Sequence, residues 1–478
     1  MRRANIGDSY RDRFVGTDVE VPTLDGSLIP YINFDNAAST PALRSVRDGV
    51  MAFLDHYASV HRGTGFKSQL STWAYEDARS AVIRFVGADP ESHVCIFGKN
   101  TTEALNKLAR RMRFRPGDVV LATEMEHHSD DLPYRGVAEV VHAGLTKDGR
   151  LDETDFDRKL EALRGRVRLV AVTGASNVTG YINPIHRLAA KAHAAGAMIV
   201  VDAAQLAPHR HLHMGALDDP EHLDFVALSA HKMYAPFGTG ALIGHRDLFE
   251  DGDPDMRGGG TVEIVTVDDV VWADPPEREE AGSPNVVGAV ALGLAIRELE
   301  WIGMDRVLEH EAELTRYALE RLGAVEDLRI FGDPRPESVK ERLGVIPFEL
   351  DGPSHFLVAA VLGHEFAIGV RSGCFCAHPY VLHLLGLNRD QARQVRERML
   401  AHDRRTMPGL VRVSFGLYNT LEEIDRLVEA LERIRAGEYR GKYVQDTESG
   451  EFVPEGWSPD FRSYFDLAAG AASPATPD

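Results

Sequence analysis

Through the first 250 residues, short apolar, β-branched runs alternate with helical patterns: VCIF (94–97), VVLA (119–122), LVAV (169–172), MIVV (198–201), FVAL (225–228) and ALI (241–243). Short apolar runs of this kind, bounded by polar or Gly-containing turns, predict strands buried on both faces. Between LVAVT and MIVVD, the segment IHRLAAKAHAAG sets Leu188, Ala189, Ala192 and Ala195 at helical spacing and stops at Gly196. A strand, a helix and a strand within about 30 residues predict a βαβ crossover, hence a largely parallel sheet. In such sheets ligands collect beyond the carboxyl ends of the strands, so the residues after each run carry the interest.

From Val286 the texture changes. VVGAVALGLAIRELEWIG and MDRVLEHEAELTRYALERLG read as long helices, RLGVIPFEL and VRVSFG as strands, and TLEEIDRLVEALERIRAG as a final helix. Thr420 is placed to cap that helix, with Glu422 and Glu423 in its first turn and Gly437 past its end. The expected division is an N-terminal segment (1–30), a large α/β domain (31–285), a linking helix with a smaller α+β domain (286–437) and a C-terminal extension (438–478). Aromatics from Tyr439 to Phe465 are expected to pack the extension over the chain's own surface. The tail AAGAASPATPD has a disordered composition.

A length of 478 residues with 44% hydrophobic and 26% charged positions suits two or three domains with cores. The net charge of −20 removes the positive field that phosphate backbones and anionic membranes require, so neither nucleic acid nor membrane is an expected partner. MRRANIGDSYRDRF has no apolar run behind its arginines, and VVGAVALGLAI is about half of the roughly 20 residues that span a bilayer. Three cysteines, Cys95, Cys374 and Cys376, form no disulfide framework, and a reduced, cytoplasmic compartment is expected.

The strand ends supply the chemistry. After VCIF, Thr101 or Thr102 suits a helix N-cap, with Ala104, Leu105, Leu108 and Met112 as the buried stripe. Free N–H groups, hydroxyls and the dipole there make a phosphate site. After VVLATEME come His127 and His128; after LVAVTGAS comes Asn177. MIVV closes in Asp202, and FVAL is followed by Ser229, His231 and Lys232. Singly, each has an ordinary explanation: most capped helices bind nothing, and a lysine at a sheet mouth is usually solvated. Jointly they describe a pocket for pyridoxal phosphate (PLP), with an aldehyde for the lysine, a ring nitrogen for the acid, a ring face for the imidazole and a phosphate for the cap.

In order from residue 31 to 437, INFDNAAST, VHRGTG, NTTEALN, EHHSDDLPY, SNVTG, VDAAQ, SAHKMYAPFGTGAL, GGGTV, EAGSPN, RSGCFCAHP and VRVSFGLYNT form a series. It resembles the class V aminotransferase branch of the PLP-dependent fold-type I family, most closely the cysteine desulfurase/selenocysteine lyase group of the shorter-loop type. The resemblance implies an α/β fold with a mainly parallel, seven-stranded-type sheet and a smaller α+β domain. It implies Lys232 as the Schiff-base lysine, Asp202 on the pyridine nitrogen and His127 stacked on the ring. Asn177 and Gln205 are implied near the ring oxygen, and Thr101, Thr102, Ser229 and His231 at the phosphate. Ser283 stands where the family reaches the phosphate of the neighbouring subunit, which implies a homodimer. Arg412 matches the arginine for the substrate α-carboxylate, with Arg371, His61 and Asn36 also expected at the substrate side.

In RSGCFCAHP the resemblance puts Cys376 at the nucleophile position. Its thiolate would take sulfur from L-cysteine or a related substrate as a persulfide, releasing alanine, with Arg371 and nearby histidines lowering its pKa. Cys374 and Phe375 depart from the histidine pair of that type. Alternation in an extended loop points Cys374 and Cys376 the same way and Phe375 opposite. A disulfide between them would be strained. Cys374 stays open as a resolving thiol, a second persulfide carrier or a buried small residue, while Cys95 reads as inert core. His209, His211 and His213 in HRHLHM alternate like a metal strand without a convergent acid, and Cys-x-Cys with His378 lacks a second ligand pair, so no metal is expected. The function expected is a PLP-dependent cysteine desulfurase with a sulfur-acceptor protein as a partner. Two alternatives stay open: another PLP-dependent C–S lyase, epimerase or aminotransferase of this family, and a non-catalytic subunit binding a sulfur carrier.

Overall fold

The computed structural model describes residues 10–470. Residues 1–9 of the opening segment and 471–478 of the tail lie outside the described residues. The centre of the molecule is a sheet of seven strands: β1 (His93–Gly98), β2 (Val119–Thr123), β3 (Glu139–Ala143), β4 (Val167–Thr173), β5 (Met198–Asp202), β6 (Phe225–Ser229) and β7 (Gly240–His245). Their order is β1-β7-β6-β5-β4-β2-β3, and only β7 runs antiparallel to its neighbours. The six predicted runs form strands, and β3 is an addition. Successive side chains enter opposite cores, Leu121, Val170, Val172 and Val201 on one face and Val120, Leu169, Ala171 and Val200 on the other. Both faces are therefore apolar, which is why these strands read as continuous runs.

The first face is closed by Arg44–Leu54, Phe66–Phe85, the predicted crossover helix Ile185–Ala194 and the long helix Val286–Ile302. Gly293 makes the last packing possible, because a Cβ there would stand 3.0 Å from Ala78. The other face is covered by helix Thr101–Arg111. No described helix is long and apolar enough to cross a membrane.

A second, antiparallel sheet contains β8 (Leu328–Ile330), β9 (Val345–Leu350), β10 (Arg371–Gly373) and β11 (Leu410–Ser414) in the order β8-β9-β11-β10. Helices Met304–Gly323, His355–Phe366 and Leu421–Arg435 share its core. Thr420 caps the last as predicted: its hydroxyl accepts from Glu423 N–H, and the Glu423 carboxylate accepts from Thr420 N–H. The segment Ile32–Asn33 pairs in parallel with Ile368–Gly369, and Ile32 and Phe34 enter this second core. That pairing carries Asp35 and Ala37 against β11, where Arg412 and Ser414 lie. In the extension, Tyr439 and Tyr443 pack on the second core and Trp457 meets the His364 ring, whereas Phe461, Tyr464 and Phe465 are exposed.

Candidate active site

A cavity of about 290 Å³ opens beyond the carboxyl ends of β4, β5 and β6, where a parallel sheet gathers ligands. Twelve of the sequence-predicted residues line it: Thr101, Thr102, His127, Asn177, Asp202, Gln205, Ser229, His231, Lys232, Arg371, Cys376 and Arg412.

One end is built on the helix after β1. Its N-cap is Asn100, not Thr101 or Thr102: the Asn100 side chain accepts from Glu103 N–H at 3.0 Å. The motif N-x-x-E would have revealed this, since Asn caps as well as Thr does. The two threonines then fall inside the first turn, where Ser229 Oγ accepts Thr101 N–H at 2.8 Å and Thr102 Oγ1 lies 2.7 Å from Ser129 Oγ. Hydroxyls converge on a helix N-terminus, a ready anion site.

At the cavity wall Asp202 is buried, and among the described residues its carboxylate's only hydrogen bond comes from Ala204 N–H at 2.9 Å. Burial raises its pKa, opposed by that N–H and by Lys232. With one N–H partner, this buried acid has acceptor capacity left for a further N–H from the cavity. Behind it lie two carboxyls the sequence reading passed over, Glu126 and Asp130, both raised chiefly by burial and each interacting with Asp202. Glu126 is tied to Thr123 Oγ1 and Thr173 N–H. His127 accepts Ser129 N–H on Nδ1 at 3.1 Å, so its proton resides on Nε2, and burial beside Lys232 pushes its pKa down to about 3. The ring is a neutral, flat face. Lys232 is lowered to about 8, because burial outweighs the pull of Asp202.

On the remaining wall Asp35 bridges two arginines, 2.9 Å from Arg412 Nη2 and 2.7 Å from Arg371 Nη2. Sequence reasoning missed it, because its partners come from strands far along the chain. Arg412 also donates to Asn177 O at 2.8 Å, and its Nε–H is buried without a partner among the described residues. The Asn177 and Gln205 side-chain amides donate to Phe375 O and Ala37 O, each at 2.7 Å.

The cysteine loop corrects an expectation. Phe375 and Cys376 have φ of 53° and 55°, so the backbone is left-handed there and strand alternation does not apply. Cys374 turns into an apolar cluster with Met125 and Tyr380, its Sγ 3.2 Å from Pro408 O and its pKa pushed up to about 12 by burial. Cys376 is exposed and lines the cavity, with its carbonyl held by His128 N–H at 2.8 Å. Phe375 lies under Arg412, 4.9 Å from its ring centroid. Of the three readings of Cys374, the buried small residue is the one this packing matches. Cys95 is buried in β1 with its thiol likewise pushed up to about 12.

Three expected residues stand apart. Asn36 is spent inside the protein: its amide donates to Asn33 O and Ser414 O and accepts from Tyr418 Oη. It does not line the cavity, because those backbone acceptors fix it beneath β11. His61 and Ser283 line a separate cavity of about 590 Å³ with Gly259, Gly260 and Gly282. His209, His211 and His213 do not converge; His209 pairs with Glu311 and His211 with Asp305.

The cavity's donor set fits pyridoxal phosphate: an under-partnered buried acid for the ring nitrogen, a neutral imidazole face, a near-neutral lysine, and hydroxyls on a helix N-terminus. The Aminotransferase class-V family model matches residues 32–427. The chain is 34% identical over 434 residues to a cysteine desulfurase of Haloferax volcanii, covering 89% of this chain and 94% of the relative. It is 37% identical over 424 residues to a probable cysteine desulfurase of Streptomyces coelicolor, covering 86% and 93%. The solved apo structure of the cysteine desulfurase from Thermococcus onnurineus superposes with a TM-score of 0.74 at 34% identity, over 85% of this chain and 95% of that one. The fold expected from the motif series is the fold found, and by sequence and architecture alike this chain belongs to the class-V aminotransferase family.

Proposed function

We propose that the chain binds pyridoxal 5′-phosphate in this cavity and acts, as a homodimer, as a cysteine desulfurase, taking sulfur from L-cysteine or a related substrate onto Cys376 and releasing alanine. The observation that carries the reading is the placement of a single exposed thiol on the same wall system as Lys232 and Arg412. When bound, the cofactor supplies an aldehyde and an electron-withdrawing ring that stabilises negative charge at the substrate Cα.

The chain's own residues supply the rest. Ser229, Thr102 and the first helical N–H groups would hold the phosphate, Asp202 would accept an N–H from the ring nitrogen, and the neutral His127 would offer the ring a flat face. Lys232, poised near neutrality, removes the proton at Cα and returns one later. Arg412, oriented by Asp35 and Asn177, offers its guanidinium charge to the substrate carboxylate. The Cys376 thiolate attacks the substrate sulfur, so an S–S bond forms, the C–S bond breaks, and its electron pair stays on the substrate carbon, which takes a proton to become the methyl of alanine. The persulfide is then exposed to an acceptor thiol on a partner protein.

Ser283 supports the dimer. It is exposed beside Gly282, in a cavity that Arg62 ties to the hairpin strand Val262–Val265 through Val262 O. Elsewhere on the surface Phe66, Trp73, Ile264, Val265 and Val267 are exposed apolar side chains, of the kind subunits cover. The three free thiols suit the reducing cytoplasm.

Alanine and sulfide release from L-cysteine, measured for Cys376→Ala and Cys374→Ala, tests the reading. Cys376→Ala is expected to lose about 100-fold or more in kcat, as removal of a nucleophile does, and Cys374→Ala to stay within about 2-fold. Equal, undiminished turnover in both variants would remove the thiol from the mechanism and leave a direct C–S lyase.

A further inference from the structure

At the amino-terminal edge of the central sheet, opposite the cavity, three histidines converge on one buried carboxylate. Asp224 immediately precedes β6, His245 ends the antiparallel β7, His193 lies in the last turn of helix Ile185–Ala194, and His222 comes from the loop before β6. Asp224 Oδ2 accepts Ile199 N–H at 2.7 Å and faces His193 Nε2 at 2.9 Å. Its Oδ1 faces His245 Nε2 at 2.8 Å and His222 Nε2 at 3.4 Å.

The other nitrogens fix the tautomers. His193 Nδ1 lies 2.7 Å from Pro220 O and His222 Nδ1 lies 2.6 Å from Asp219 O. A carbonyl oxygen only accepts, so both Nδ1 atoms carry protons and both Nε2 atoms offer either a lone pair or a second proton. The two rings stack with centroids 4.2 Å apart and planes 20° apart. His193 Nε2 is within hydrogen-bond distance of Asp224, whereas His222 Nε2, 3.4 Å from Oδ1, makes no hydrogen bond to it among the described residues, so the cleft between the stacked rings and the carboxylate is open to a cation.

We infer that His193, His222 and Asp224 bind a divalent cation of the zinc class. Their ligand atoms all lie within 4.8 Å of one another, and imidazole with carboxylate is a donor set suited to Zn²⁺. The Nδ1–H bonds to two adjacent backbone carbonyls are the supporting contacts that orient metal-binding histidines. His245 donates its Nε2–H to Asp224 and steadies the carboxylate, leaving a fourth position to water. The cation ties the end of the crossover helix and the 215–222 loop to the start of β6, a structural role independent of the proposed catalysis.

Isothermal titration of Zn²⁺ into the holoenzyme, with the metal content measured after dialysis, tests the site. The wild type and Cys376→Ala are expected to retain about one Zn²⁺ per chain, and His222→Ala and His222→Gln to bind about tenfold or more weakly. Zn²⁺ should raise the melting temperature of the wild type and leave that of His222→Gln unmoved, with the cofactor absorbance equal in both. Absence of binding by the wild type overturns the inference, leaving a cluster held by protons alone. So does zinc that follows Cys376 and not His222.

Discussion

At the scale of single residues, the cavity is governed by what burial does to charge. Lys232 sits between the attraction of Asp202 and the greater cost of leaving water, which brings its pKa to about 8. The amine that reacts with an aldehyde is the neutral form, and its fraction grows as pH rises through that value. Association of pyridoxal phosphate with the cofactor-free protein should therefore accelerate with pH to a midpoint near 8. An unbroken rise toward the ordinary lysine value of about 10.4 would contradict the burial argument. The residues legible in the sequence were those whose type announces their task after a strand, such as Lys232, Asp202 and His127. Asp35, Glu126 and Asp130 were not legible, because their partners arrive from distant elements: Asp35 meets Arg371 and Arg412 only once residues 32–33 pair with 368–369. The opposed directions of Cys374 and Cys376 were hidden for a related reason, since the apolar cluster that receives Cys374 is assembled from several segments.

At the scale of elements, termini and turns aim the functional groups. Helix Leu421–Arg435 follows the strand that carries Arg412, and its capping box also engages Asn419, whose amide donates to Glu423 and Asn33 O. Thr420→Ala removes the cap and should lower the free energy of unfolding by about 1 kcal/mol, measured by urea denaturation, while Thr420→Ser should be near neutral. A loss indistinguishable from zero for the alanine variant would show that the cap adds nothing to this helix. The predicted strands were legible because burial on both faces leaves unbroken apolar runs. β3 escaped because it is the edge strand, half-exposed, and its sequence EVVHA mixes polar with apolar positions. The loop at 373–377 escaped because, beyond Gly373 (φ 107°), the backbone is again at positive φ at Phe375 and Cys376, residue types that do not announce a turn.

At the scale of the whole molecule, the two sheets meet around the cavity: the carboxyl ends of the parallel strands contribute Asp202, Ser229 and Lys232, and the antiparallel sheet contributes Arg371, Arg412 and, at the end of β10, the loop carrying Cys376. A buried network backs the segment bearing Ser283, with Glu280 accepting from Arg79 Nη1 at 2.8 Å, Tyr75 Oη at 2.7 Å and Phe97 N–H at 2.6 Å. In the proposed dimer, that buried support would hold Ser283 toward the second copy. The account rests most on sulfur passing through Cys376. Mass spectrometry of peptides from the holoenzyme, quenched with an alkylating agent after exposure to L-cysteine, measures this directly. The expected result is one added sulfur atom on the peptide at Cys376, with the Cys374 thiol unaltered. Alanine formed in the same sample with no sulfur on Cys376 would contradict the account.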